Sequence, residues 1–119
     1  MFADPQSIDV GGGAVSLPRT GSALGVGRFT SADGTTEIIV SHDTKRRNRR
    51  VFRATVSKIS ADALTPTINT KTSWSCYLVL DAPVNGVTAT EQINLVKGLV
   101  GMLSASTYAL VTKFVGGES

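Results

Sequence analysis

The sequence predicts an α+β fold: an N-terminal β-hairpin and an antiparallel sheet of about five strands, followed by two C-terminal helical segments. Three observations carry this expectation. Apolar and polar residues alternate with a period of two through much of the stretch 35–80, as in half-buried strands. After Gly86 the apolar spacing changes to that of a helix. The 119 residues include 14 Thr, 12 Ser and 12 Gly against 4 Pro, a mixture suited to strands and tight turns. At this length one domain with one modest core is expected over 1–119, divided into an N-terminal hairpin (1–20), a sheet (23–82) and helices (88–115).

Ser7–Val10 and Ala14–Leu17 flank Gly11-Gly12-Gly13 and read as a hairpin. The triplet lacks the spacing of a phosphate-binding loop. Arg19-Thr20-Gly21-Ser22 reads as a turn, and Leu24–Thr30 as a weak strand. Asp33-Gly34 marks the next hairpin turn. In Thr35–His42, Ile38, Val40 and His42 share one face, and Glu37, Ile39, Ser41 and Asp43 the other. A turn is expected around Arg47-Asn48, with a strand from Arg50 to Ile59. Its Phe52, Ala54 and Val56 face should be buried, because Arg53 on the other face cannot be buried unpaired. Leu64–Thr70 reads as a short strand interrupted by Pro66, which suits an edge or a bulge. Trp74–Leu80 is the strongest strand, with Trp74, Cys76, Leu78 and Leu80 on one side and Ser75, Tyr77 and Val79 on the other.

Thr88-Ala89-Thr90-Glu91 fits a helix-capping box. Ile93, Val96, Leu99, Val100 and Leu103 then form an apolar stripe, a bend is expected near Ser104–Ser106, and Tyr108, Val111 and Phe114 continue a shorter segment. This stripe is too small to cover the whole apolar sheet face, so helices of a second copy are expected to complete the cover in a homodimer.

The net charge is +3, from 12 Lys plus Arg and 9 Asp plus Glu. Lys45, Arg46, Arg47, Arg49, Arg50 and Arg53 place six bases and no acid within nine residues; the rest carries six bases and nine acids. Such a run repels itself unless an anion neutralises it. Arginine forks match phosphate oxygens, and Tyr77 on the same face as Arg53 offers a ring for an unstacked base. A nucleic acid is therefore the expected partner. No uninterrupted apolar run approaches bilayer-spanning length, so no membrane partner is expected, and the first four residues lack the features of a secretory signal.

Catalytic chemistry is not expected. His42, the only histidine, has no evident ligand set and reads as a core or turn residue. Cys76, the only cysteine, reads as a small buried hydrophobe and excludes an intrachain disulfide. The acids are scattered: Asp33 falls in a turn, Glu91 in a cap and Asp81 at a strand end. Asp4 and Asp9 do not match a calcium loop. No metal site, cofactor or enzymatic activity is indicated.

The element order, with Asn48-Arg49-Arg50-Val51 opening a long strand, Trp74-Ser75-Cys76-Tyr77-Leu78 leading to Pro83, and Glu91-Gln92-Ile93 followed by Lys97-Gly98-Leu99, resembles the coat proteins of levivirus-like single-stranded RNA bacteriophages. The resemblance spans nearly the whole chain. It implies an interlocked homodimer in which each chain's helices pack over the partner's sheet. Phe52, Val56, Trp74, Cys76, Leu78, Ile93, Val96, Leu99, Val100 and Leu103 would then form the core and dimer contacts.

The resemblance further implies an icosahedral capsid assembled in the bacterial cytoplasm. Its inner sheet face would bind single-stranded phage genomic RNA through Ser41, Asp43, Lys45, Asn48, Arg50, Arg53, Thr55, Ser75 and Tyr77. Arg46, Arg47 and Arg49 would meet phosphate or a neighbouring dimer. It also implies repression of replicase translation through an RNA hairpin, and the phage maturation protein as a partner. The arginine-rich connection implies stronger general phosphate binding than in better-known members. Either the Asp33-Gly34 turn or the turn near Thr70-Lys71 would make inter-dimer contacts. The competing reading is a non-viral dimeric module that binds single-stranded nucleic acid.

Overall fold

The computed structural model describes residues 2–11, 13–60, 64 and 69–118, and the backbone of residue 61. Two compact units emerge, Met1–Asp81 and Ala82–Ser119. In the first, β1 (Gln6–Asp9) and β2 (Ala14–Leu17) form the N-terminal hairpin. Asp9 ties its glycine turn by accepting the backbone N–H groups of Gly11 (2.9 Å) and Gly13 (3.3 Å). Asp4 instead accepts the N–H of Arg19 at 2.9 Å.

A five-stranded sheet follows in the order β3 (Arg19–Ala23), β4 (Val26–Thr30), β5 (Thr36–Thr44), β6 (Arg47–Ala61) and β7 (Asn69–Pro83). Residues 19–22 are thus a strand, not the turn that the Arg-Thr-Gly-Ser composition suggested. The turn falls at Leu24-Gly25, where the register closes Ala23 on Val26. Gly25 adopts φ 73°, and a Cβ there would sit 3.1 Å from the His42 carbonyl oxygen. His42 N–H donates to the Gly25 carbonyl at 2.8 Å, locking this turn against β5.

The Asp33-Gly34 turn forms as expected, with Gly34 at φ 77°. Asp33 Oδ1 accepts the hydroxyls of Ser31 (2.6 Å) and Thr35 (2.8 Å) and the Thr35 N–H (3.1 Å). These bonds, with Ser31 first, lower its pKa from 3.8 to about 2. Because the folded value is depressed, the turn's contribution is present above pH 4 and disappears as pH falls towards 2. Asp33→Ala is expected to lower the thermal midpoint at pH 7, and the deficit relative to wild type should shrink between pH 4 and pH 2. A deficit that is constant with pH would remove the carboxylate from this role.

The alternation in β5 is as the sequence predicts: Ile38 and Val40 are buried and Glu37, Ile39 and Ser41 only partly so. Leu17, Phe29, Ile38 and Val40 form the core, with Ile8, Val15 and Ala54 against it. Phe2 adds ring contacts to Phe29 (6.4 Å) and Phe52 (6.0 Å). The N-terminal hairpin therefore packs on the Phe52 side of the sheet. Other residues on that side remain open to solvent: Phe52 is 39% exposed and Trp74 53%. Cys76 is exposed in the single chain, so it is not buried within its own sheet and only a second copy could cover it. His42 is likewise exposed at the edge of a shallow apolar hollow lined by Phe2, Phe29 and Val40, so it is not a core histidine.

The expected strand over 64–70 lies mostly outside the described residues. Thr70 and Lys71 belong to β7, so no turn lies there. In the second unit, α1 (Ala89–Val115) begins at Thr88, whose Oγ1 accepts the Glu91 N–H at 3.2 Å. Thr88→Ala should cost about 1 kcal/mol in a denaturant titration; no loss would mean that the cap is replaceable. By length and composition α1 is apolar enough to cross a bilayer, although it contains no long uninterrupted apolar run. Its helical geometry breaks at Ala105–Tyr108, however, where Ser106, Thr107 and Tyr108 take left-handed φ of 55–62°. The stretch before the break falls short of the roughly 20 residues a span requires. This break separates the two helical segments at nearly the predicted place. Ile93, Leu99 and Val100 are exposed along the helix, while Val96 and Leu103 are partly buried.

Candidate nucleic-acid interface

Strand register determines which side chains share the polar face. In β5 and β6, Glu37 pairs with Thr55, Ile39 with Arg53, Ser41 with Val51, and Asp43 with Arg49. Residues directly opposed across strands project to the same side. Ser41, Asp43, Arg49, Arg53 and Thr55 therefore share one face. The other parity contains Thr44 with Asn48, His42 with Arg50, and Val40 with Phe52. Asn48 and Arg50 consequently take the parity of the apolar side, against the expectation that they join Arg53. The physical cause is the alternation of β6, which pairs without a bulge from Asn48 to Val56, so Arg49 shares the face of Arg53 and Arg50 that of Phe52. β5 runs on to Thr44 and the reversal occurs at Lys45-Arg46, not around Arg47-Asn48, which sets Arg49 opposite Asp43.

From β7, Ser75 and Tyr77 arrive on the same face as Arg53. The Arg53 guanidinium carbon lies 5.6 Å from the centre of the Tyr77 ring. A hydrogen bond with Ser75, then hydrogen bonding and charge from Arg53, lower the pKa of the Tyr77 hydroxyl. Arg53 Nε is buried and has no hydrogen-bond partner. A shallow depression opens here, lined by Glu37, Arg53, Thr55, Ser57, Lys71, Ser73, Ser75 and Tyr77, with Gly34 and Thr35 at one end. Ser57, Ser73, Lys71 and Glu37 were not among the expected site residues. The signal was present in the sequence, because Ser57 has the parity of Arg53, Lys71 and Ser73 that of Tyr77, and Glu37 that of Ser41 and Asp43.

The basic turn is only partly neutralised. Arg47 Nε donates to Asp81 Oδ1 at 3.0 Å, tying the start of β6 to β7. Lys45 lies 3.6 Å from Asp43. Among the described residues Arg46, Arg49, Arg50 and Arg53 have no ion-pair partner. On the polar side and at the turn, the charge of Arg46, Arg49 and Arg53 is open to phosphate, whose oxygens suit guanidinium forks. Asn48 Oδ1 is buried without a hydrogen-bond partner. No group of three or more metal-ligating side chains occurs among the described residues.

A five-stranded antiparallel sheet preceded by a strand hairpin and followed by a broken helix is the fold of RNA-bacteriophage coat proteins. The chain is similar to the virus-like particle protein of bacteriophage AVE019, with a TM-score of 0.81 and 12% identity over 100% of this chain and 98% of that one. Similarity to the capsid protein of bacteriophage GA has a TM-score of 0.62 at 17% identity, covering 98% and 95% of the two chains. A bacteriophage RNA-binding dimer of unassembled virus coat protein gives 0.56 and 16%, with the same coverages. No protein-family model and no curated protein matches the chain. At these identities it is the fold that is shared.

Proposed function

We propose that this protein is a phage capsid subunit that dimerises, assembles into an icosahedral shell and binds single-stranded genomic RNA on its polar sheet face. Residues 1–119 act in this reading as one coat-protein domain. The observation that carries it is the two-sided sheet. One side brings Arg53, Tyr77 and a row of hydroxyls together, and the other leaves Phe52, Trp74 and Cys76 open to solvent. The first suits a flexible polyanion with unstacked bases. The second suits the exposed apolar residues of α1 from another copy. Repression of replicase translation would use the same polar face on an RNA hairpin, and the maturation protein would join the shell in the virion. The similar coat proteins, one of them an RNA-binding dimer, support the assignment.

The RNA-face residues in this reading are Ser41, Asp43, Arg49, Arg53, Thr55, Ser75 and Tyr77, with Lys45, Arg46 and Arg47 at the turn. Arg50 and Asn48 serve the edge of the apolar side. Sedimentation of natively purified protein, read with absorbance at 260 and 280 nm and electron microscopy, tests the proposal. Large shells rich in nucleic acid are expected. Free dimers carrying RNA would favour the non-viral module, and small RNA-free species would end the nucleic-acid reading.

A further inference from the structure

Among the described residues Glu37 is the one acid lining the depression shared by Arg53, Tyr77 and Lys71, whose other polar residues are hydroxyls and cations. Its nearest recorded cation, Arg28, holds Oε1 at a loose 3.9 Å, and the Glu37 side chain retains 30% exposure. A carboxylate so placed weakens phosphate binding by repulsion. It is an acceptor with two oxygens and no donor. An unstacked base on this face therefore gains most at Glu37 if it presents two adjacent N–H donors. Guanine does so on its Watson–Crick edge, through N1–H and the N2 amino group. Cytosine and adenine each present one amino group, and uracil one N–H.

We propose that Glu37 is a specificity-determining residue that selects a guanine in single-stranded RNA, its two carboxylate oxygens accepting the N1–H and N2–H donors. Tyr77 supplies a ring in the same depression against which a neighbouring base stacks. Arg53 and Lys71 hold the flanking phosphates. The inference rests on the nucleic-acid reading of this face and adds the identity of one base.

Fluorescence anisotropy of the full chain, freed of bound nucleic acid, with labelled UUGUUU, UUAUUU, UUCUUU and UUUUUU provides the test. Guanine is expected to bind on the order of ten-fold more tightly than the other three. Replacing that guanine by inosine, which lacks the N2 amino group, should remove much of the preference. Glu37→Gln should abolish it while leaving UUUUUU binding equal or stronger, because a repulsive charge has gone. Equal wild-type affinity for all four oligomers, or a guanine preference that persists in Glu37→Gln, would overturn the assignment while leaving the RNA-binding face in place. Binding to none of the four would refute the RNA reading itself.

Discussion

Trp74→Glu is expected to abolish particle formation and leave a non-assembling chain with an intact sheet. Trp74 stands on the open apolar side and is about half exposed. Covering what remains in a dimer would gain about 1–2 kcal/mol per subunit, counted twice by two-fold symmetry. A carboxylate there would have to be desolvated, at a cost of several kcal/mol that an ion pair with Lys58 would only partly offset. Lys58 Nζ, 5.8 Å from the Trp74 ring centre, stands at the edge of this patch. Trp74→Phe should retain assembly. Sedimentation and electron microscopy provide the readout, with far-ultraviolet circular dichroism as the fold control. Normal shells from Trp74→Glu would show that this face is not the dimer contact.

The second large effect concerns phosphate. The double variant Arg49→Ala/Arg53→Ala should weaken single-stranded RNA binding and flatten its salt dependence. Each single-strand phosphate contact contributes about 0.7 to the slope of log K against log salt, so losing two should reduce it by roughly 1.4. Arg50→Ala should change neither quantity by a comparable amount, because its register partner is His42 and its parity is that of Phe52. An Arg50 variant that matches the double variant would show that parity does not govern access to RNA at this end of the sheet.

Much of the fold is legible in the residues because local patterns and global packing agree. The Ile38/Val40 alternation, the Asp33-Gly34 turn and the Thr88 cap each rest on side chains within a few residues of one another. Arg19–Ser22 was misread because its composition favours turns, while the pairing of Arg19 with Phe29 and Ser22 with Gly27 makes it a strand. Cross-strand pairing outweighs weak local preference at such positions. Tyr77 and Arg53 were recoverable as a pair from the alternation of two separate strands. Glu37 and Lys71 escaped notice as site residues because each has a bland local explanation, as a strand acid and a loop base.

The sequence by itself determined that strands precede helix, the concentration of positive charge at 45–53 and the two-sided character of the central strands. These properties depend on side-chain chemistry at fixed spacing along one chain. Only the tertiary structure decided that the hairpin reverses at Lys45-Arg46, setting Arg49 opposite Asp43 and Arg53 opposite Ile39, and that Arg47 is tied to Asp81 while Glu37 enters the depression beside Tyr77. A shift of one residue in where a hairpin turns exchanges the two faces of a strand. That shift is settled by the pairing of distant segments, which no local pattern encodes.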